Sequence, residues 1–458
     1  MLRWRRVIAG CVIVISAAAL LGCAVIDQYS GRAVSYNVEA EQAHDQALLL
    51  NIVRASQRRP RQFTIVQKIT GQAQAQGTAN VTVPMGPHSN LQYKTGQFST
   101  QLSGTETFEV ASLETNDWYE GILRPLSGQF IHLYIQAEFP HDLLWNLFLG
   151  KIVIRRTDKA CAFSHELRCE MTFQNYAGTD LELGLFQTMV GYLINLGLNT
   201  QTMDPPVQAQ AKAAAKGDTK SKDDNPPQPW IGYCFSTHLP RYAGLVDRPL
   251  TCGYPSISAT FKRSTRIDST TTLRGITMSS EVVAVMERIV EQQQGRSEFF
   301  QARAKAFSDI RQFAGKHVSV ALFTRSTETL IYYVGEVVRR QLYPDLDEPA
   351  MVMTKLGPPL TEFPIEPCTV KRNFGKLWQC QNLFAVERGP PIGLGGGVSV
   401  DYEGQRYSIP ASANAGATYD TPAGASYTVL TIVRQMLTLN TSAKSLPASS
   451  LLVSTSSP

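Results

Sequence analysis

The stretch FTIVQKITGQAQAQGTANVTV, Phe63–Val83, carries the strongest structural signal in the chain. Its odd positions read Phe63, Ile65, Gln67, Ile69, Gly71, Ala73, Ala75, Gly77, Ala79, Val81 and Val83. Its even positions are mostly Thr, Gln, Lys and Asn, with Val66 the one apolar residue. Alternation with a period of two is the signature of a strand with two chemically different faces. Pro84–Asn90 holds Gly86 and Pro87 and reads as a tip, and Leu91–Val110 is a second β-rich run. The apolar positions of that run move from odd (Leu91, Tyr93) to even (Phe98, Leu102, Phe108, Val110), which points to a bulge near Gly96. Together the runs predict one long β-hairpin. A strand of this length reaches roughly 70 Å at ~3.3 Å per residue, whereas ordinary strands have about 3–10 residues. Three uses fit it. It is long enough to cross a membrane, for which about 9–11 residues suffice. It also fits a bent hairpin inside an ordinary sheet, or a strand that pairs with a partner. The Gly- and Ala-rich positions 71–79 and the lack of a clear aromatic girdle weigh against lipid contact.

Upstream, Asn37 is placed to cap a helix running to about Arg58, with Glu39 and Glu41 in its first turn. Ala43, Ala47, Leu50 and Arg54 recur at helical spacing, and Leu48, Leu49, Ile52 and Val53 widen the apolar side before Pro60 ends the helix. Arg54, Arg58, Arg59 and Arg61 give it a basic end. Such an end complements the helix dipole, and it is also a candidate contact for lipid or phosphate.

Downstream, helices are expected over 114–150, with Asn116-Asp117 opening one, and the run Leu143–Leu149 is densely apolar. A strand at Lys151–Arg156, a hairpin spanning 161–169 and a helix near Leu185–Leu198 follow. Met203–Pro229, with five prolines and four Lys against four Asp, reads as a disordered linker. Beyond it, strand-like runs alternate with helices. Three helical openings share a Ser cap and a later Arg: Ser279 with Arg288, Ser326 with Arg339, Ser426 with Arg434. They suggest a weak repeat of a strand–helix unit. Ser399–Ile409 reads as a tight hairpin turning at Glu403-Gly404. The Ser-rich tail is expected to fray.

The chain opens with Arg3, Arg5 and Arg6, a short apolar run from Val7 to Leu21, and Leu20-Leu21-Gly22-Cys23. This order is that of a secretory signal. The apolar run is shorter than the ~20 residues a spanning helix needs. Arg5-Arg6 lacks the surroundings of a twin-arginine signal. The formal net charge of +5 falls to about +2 without the three signal arginines, which makes no case for nucleic acid. Of eight cysteines, Cys11 lies in the signal and Cys23 at its end. Cys161, Cys169, Cys234, Cys252, Cys368 and Cys380 remain. They fall into three local pairs, each bracketing a hairpin-like segment, and are expected as disulfides 161–169, 234–252 and 368–380. A metal site is the rival reading, but no CxxC is present and no His stands at ligand spacing from a Cys.

The Leu20–Cys23 segment resembles the lipobox of bacterial lipoproteins. That resemblance implies cleavage after Gly22, acylation of Cys23 with three chains in total, and a chain hung from a membrane by its N-terminus. Ala24 stands where Asp would favour retention in the inner membrane, so the resemblance implies the periplasmic side of the outer membrane. Leu48–Ala55 and the segment from Val429 to Pro447 look like parts of uncharacterised proteobacterial lipoproteins, a likeness that implies no activity.

Motifs of enzymes are sparse. His165-Glu166 lacks the second His of a zinc helix, and Gly393–Gly397 precedes a hairpin where a dinucleotide loop would open a helix. His141-Asp142 could orient a base, with no partner nucleophile in view. The sequence therefore predicts no catalytic residue, metal or cofactor. It predicts an α+β fold of mixed antiparallel sheets and helices, with a long β-hairpin in the N-terminal half and disulfide-stapled hairpins. The expected division is a signal peptide 1–22, a tether 23–36, a first domain 37–202, the linker 203–229, a second domain 230–445 and a tail 446–458. The leading functional expectation is a non-enzymatic envelope scaffold or assembly partner, joined to the membrane by its lipid and to an envelope protein or to other copies of itself. An oligomeric pore or secretion component using hairpin 63–110 is the first alternative, and a periplasmic hydrolase the second.

Overall fold

Asp180–Asn195 is apolar on nearly every side, and every residue from Leu183 to Asn195 is buried. A helix that is apolar all round must lie inside other structure. This helix is central to the larger of two compact units in the computed structural model, which describes residues 34–85, 92–137, 139–163, 169–203, 230–235, 252–253, 255–257, 269–294, 298–343, 351–355, 364–368, 378–389, 397–410, 422–440 and 451–455. The larger unit comprises Leu48–Arg61 and Asn116–Asn440, and the smaller one Met1–Ala47, Gln62–Thr115 and Thr441–Pro458. The chain is α+β, with antiparallel sheets throughout its described residues.

In chain order the elements used below are helix α1 (34–56), strands β1 (Thr64–Met85) and β2 (Gln92–Ser112), and helices α2 (Asn116–Leu123), α3 (Gly128–Gln136) and α4 (His141–Phe148). Next come β3 (Leu149–Arg156), α5 (Lys159–Phe163), β4 (Glu170–Gln174), α6 (Asp180–Asn195), β5 (Leu198–Met203) and β6 (Trp230–Phe235). After these come β7 (Cys252–Gly253), β8 (Pro255–Ile257), β9 (Ser269–Thr277), α7 (Ser280–Gln294), α8 (Glu298–Lys305), β10 (His317–Thr324) and α9 (Thr327–Leu342). The last are β11 (Met351–Lys355), β12 (Trp378–Asn382), β13 (Glu387–Arg388), β14 (Ser399–Tyr402), β15 (Gln405–Ser408), α10 (Pro422–Asn440) and β16 (Leu451–Thr455).

The larger unit is organised by a five-stranded sheet in the order β4-β3-β10-β9-β8. Its strands bury alternate residues: Ile152 and Ile154 on β3, Val318, Val320 and Leu322 on β10, Met171 and Phe173 on β4. Period-two burial of this kind puts one face of the sheet on the core. α6 packs between β4 and α7, and Tyr192 on α6 donates to the Thr277 carbonyl at the end of β9 (2.5 Å). Trp118, Trp145, Phe148 and Phe186 are fully buried. Each such side chain contributes about 1.5–3 kcal/mol.

This sheet corrects the expected division. β3, from the predicted first domain, pairs with β10, from the predicted second (Val153 opposite Ala321). Residues 204–229 lie outside the described residues, but the strands on either side of them are neighbours. β5 and β6 pair antiparallel from Leu198–Phe235 to Met203–Trp230. The polar segment therefore joins two strands of one sheet.

The smaller unit is a three-stranded sheet in the order β1-β2-β16. β1 and β2 are 22 and 21 residues long, as the alternation of Phe63–Val83 requires. The predicted bulge near Gly96 is absent, because Gly96 stands in regular register opposite Val81. Register breaks fall instead between Val66 and Lys68 and between Gln74 and Ala79. The change of parity along β2 has no register break of its own, since Pro84 opposite Tyr93 and Ala79 opposite Phe98 belong to one continuous register. Part of the supposedly frayed tail is a strand: β16 adds to β2 with Val453 opposite Phe108.

Other expectations resolve locally. Ser326 caps α9 in a capping box with Thr329, and β9–α7 and β10–α9 are the expected strand–helix pairs. The third opening differs: α10 begins at Pro422, so Ser426 lies inside it, buried, and accepts from the Ala385 amide (2.8 Å). Asn37 likewise lies within α1, which is already helical at 34. Disulfides join Cys161 to Cys169 and Cys368 to Cys380. Cys234 is disulfide-bonded, and Cys252 stands opposite it in the β6–β7 ladder. Cys23, His165, Glu166 and 393–396 lie outside the described residues.

Candidate functional site

α1 ends in a Schellman motif. The Arg58 amide donates to the Ala55 carbonyl (3.0 Å) and the Arg59 amide to the Arg54 carbonyl (2.8 Å). That motif needs a left-handed residue at the position Arg58 occupies, where glycine is the usual choice. Arg58 adopts φ 58°. The β14–β15 hairpin needs two left-handed residues in its turn, and Glu403 and Gly404 supply them with φ 51° and 76°. Among the described residues, Arg58 and Glu403 are the only non-glycine residues with positive φ. Both line the same cleft.

The cleft has a volume of about 380 Å³. Ser56, Gln57, Arg58 and Arg59 come from the end of α1, Arg339 and Tyr343 from the end of α9, and Glu403 from the hairpin turn. α1 and α9 meet through Gly335, where an added Cβ would stand 2.6 Å from the Ala55 Cβ and 3.0 Å from the Ser56 amide nitrogen. The glycine lets the two helix ends close up and brings Arg58 and Arg339 to one opening. Gln57 donates to the Tyr407 hydroxyl (3.2 Å), which ties the α1 terminus to β15. Arg388 lies 5.2 Å over the Tyr343 ring, adding positive charge behind that wall.

The guanidinium groups here are held loosely. Arg58 is 3.6 Å from Glu336, Arg59 is 3.6 Å from Glu403, and Arg339 is 3.9 Å from Glu336. These separations exceed those of hydrogen bonds. Nη1 of Arg339 is buried with no hydrogen-bond partner. Elsewhere in the same unit the pairs are tight: Arg340 donates to Asp180 at 2.7 Å and Arg406 to Asp401 at 2.9 Å.

Of the four arginines that the sequence groups together, the structure brings two to the cleft. Arg54 lies 5.6 Å over the Tyr402 ring. Arg61 is withdrawn altogether, bonded to Glu328 at 2.5 Å and stacked 3.5 Å over Tyr332, with its side chain 9% exposed. Arg339 and Tyr343 were not singled out as site residues. The local clues to the site are the basic pair Arg58-Arg59 and a charged residue at each of two positions that favour glycine.

The histidines are dispersed. His132 bonds Thr200 (2.9 Å) and His317 bonds Thr277 (3.1 Å), while burial holds the His141 imidazole below its usual pKa. Among the described residues no cluster of three His, Cys, Asp or Glu side chains is arranged for a metal. Within the same residues no helix is long and apolar enough to cross a membrane.

The hairpin of the smaller unit offers a different kind of site. Apart from Gly71–Glu106 and the break between Gln74 and Ala79, its register alternates two kinds of pair. Thr70–Thr107, Gln72–Thr105, Gln74–Ser103, Asn80–Gln97 and Thr82–Thr95 interleave with Ile69–Phe108, Ala73–Gly104, Ala79–Phe98 and Val81–Gly96. Among the described residues β1 is an edge strand, and β16 covers β2 only from Glu106 to Val110. Comparison of the chain with family models, with curated proteins and with solved structures finds no match.

Proposed function

We propose that the chain is a lipid-anchored, non-enzymatic component of the outer membrane on its periplasmic side, a platform that presents the β1–β2 hairpin for strand pairing during envelope assembly. The observation that carries this reading is the hairpin itself. It comprises two strands of more than twenty residues within the smaller compact unit, with the whole of β1 an edge among the described residues. A long unpaired edge is a template for another strand, and a two-stranded ribbon is marginal in water by itself. The lipobox resemblance of Leu20–Cys23 supports the anchor.

The partner can be another copy of the chain, and the alternating register favours this second reading, in which pooled hairpins line a pore. Polar and apolar pairs alternate from Ile69 to Thr82 except at Gly71–Glu106 and across the register break between Gln74 and Ala79, and each strand as a whole exceeds the ~9–11 residues of a membrane-crossing strand. Light scattering and negative-stain imaging of the detergent-extracted protein separate the two. Closed rings support the pore. A monomer that cross-links to another envelope protein through a photo-reactive residue at position 72 supports the platform. A monomer with no cross-link overturns both. Retention of the Cys23→Ser variant in the membrane fraction would overturn the lipid anchor.

A further inference from the structure

We propose that the cleft between the ends of α1 and α9 binds a phosphate-bearing ligand, with the guanidinium groups of Arg58, Arg59 and Arg339 as its donors. Three independent observations meet there. The first is unspent bonding capacity. Three guanidinium groups lie 3.6–3.9 Å from their carboxylates, near enough for charge balance and too far for hydrogen bonds. Arginine's planar fork suits a tetrahedral oxyanion, which offers several acceptor oxygens at once. The second is backbone strain. Left-handed backbone costs a non-glycine residue about 1–2 kcal/mol. Both such residues, Arg58 and Glu403, put charge into this cleft. Glycine would close the helix and the turn at lower cost but would leave the cleft without these charges. The third is the close helix contact at Gly335, which sets Arg58 and Arg339 on one opening.

The carboxylates fit the same scheme. Glu403 sits on a turn with half its side chain exposed, and it holds Arg59 in place until a phosphate displaces it. Glu336, bound loosely to both Arg58 and Arg339, keeps those side chains side by side. The site is thus balanced when empty and gains net attraction for an anion when Glu403 swings out. Tyr343 can donate its hydroxyl to the same ligand. A phosphate of this kind can belong to a lipid headgroup or to a free phosphate compound, and the donors are the same for either.

Calorimetric titration of the detergent-extracted full chain tests the proposal with two probes, inorganic pyrophosphate and dihexanoyl phosphatidylglycerol. Saturable binding of pyrophosphate assigns the site to free phosphate compounds. Binding of the short-chain lipid alone assigns it to a headgroup. Arg339→Gln is expected to weaken either by about tenfold, the effect of one charge-assisted hydrogen bond. Glu403→Gln is expected to tighten it, because the competing carboxylate is gone. Arg58→Gly guards against misfolding. It relaxes the helix terminus, so it should raise the melting temperature while weakening the ligand. Binding of neither probe overturns the proposal, as does binding that is unchanged in both arginine variants.

Discussion

Arg325 and Arg339 stand at opposite ends of α9 and are held in opposite ways. Arg325, just before the Ser326 cap, is buried with no carboxylate among its hydrogen-bond partners. It donates to the carbonyl oxygens of Asn146 (3.2 Å), Leu147 (2.9 Å) and Asn175 (2.6 Å) and stacks 3.7 Å over the Tyr333 ring. Burial pulls its pKa down to about 10, with the Tyr333 hydroxyl opposing that shift, so it stays charged at neutral pH. Its donors close main-chain acceptors where α4 runs into β3 and where β4 leads toward α6. Arg339 is partly open, spends no hydrogen bond on its carboxylate and faces a cleft. One residue type serves two ends of one helix. Where the donors are consumed by the fold, arginine is architecture. Where they are left over beside a cavity, arginine is available to a ligand.

The hardest blow to that contrast is Arg325→Met. It fills similar volume but strands the buried carbonyls of Leu147 and Asn175, while the Asn146 carbonyl keeps its bond from Asn175 Nδ2 (2.6 Å), and two unsatisfied buried acceptors cost about 2–6 kcal/mol. A large downward shift of the urea midpoint is expected. A loss below ~1 kcal/mol would mean that the carbonyls find other donors and that Arg325 is no keystone. Gly335→Ala comes next. The added methyl meets Ala55 at 2.6 Å and main chain at 3.0 Å, and overpacking of this order costs about 1–3 kcal/mol. Ala55→Gly in the same chain should return part of the loss, since the two sites share the clash. Full additivity of the two changes would show that the helices do not meet as described.

Arg58→Gly reverses the sign. At a left-handed helix terminus glycine relieves strain, and a gain of up to about 1 kcal/mol is expected in thermal unfolding. A loss would show that Arg58 supports the fold as Arg325 does, and the distinction between the core arginine and the arginines of the cleft would narrow.

Local chemistry was legible, and distance was not. The alternation in Phe63–Val83 predicted the long hairpin because strand periodicity needs no distant partner. The same holds for the turn at Glu403-Gly404, the cap at Ser326 and the two cysteine pairs seen as disulfides. The interleaved sheet was hidden, since nothing in Lys151–Arg156 names Val318–Phe323 as its neighbour. The basic end of α1 was read as one group of four arginines. Arg61 left that group because of Glu328, a residue 267 positions away. Arg339 joined it through Gly335, whose role appears only when α1 packs on α9. Ser426 misled because a serine at the start of an apolar run is also what a buried helix uses to bond a neighbouring loop.

A half-buried histidine extends the comparison by pH, with the smallest effect of the set. His141 is the first residue of α4, and burial lowers its pKa. The positive end of the helix dipole disfavours the imidazolium further. The unfolded chain then takes up a proton near the ordinary value of about 6.5 while the folded chain does not. Protons bound by the unfolded state exceed those bound by the native state in that window, so stability falls as pH drops through it. His141→Gln should flatten the pH dependence of the unfolding midpoint between neutral pH and about pH 5. An unchanged slope would mean that the folded protein accepts the charge at position 141. Tolerance of an unsupported cation is a property of the cleft and not of the core around Arg325, so His141 would then belong with Arg339.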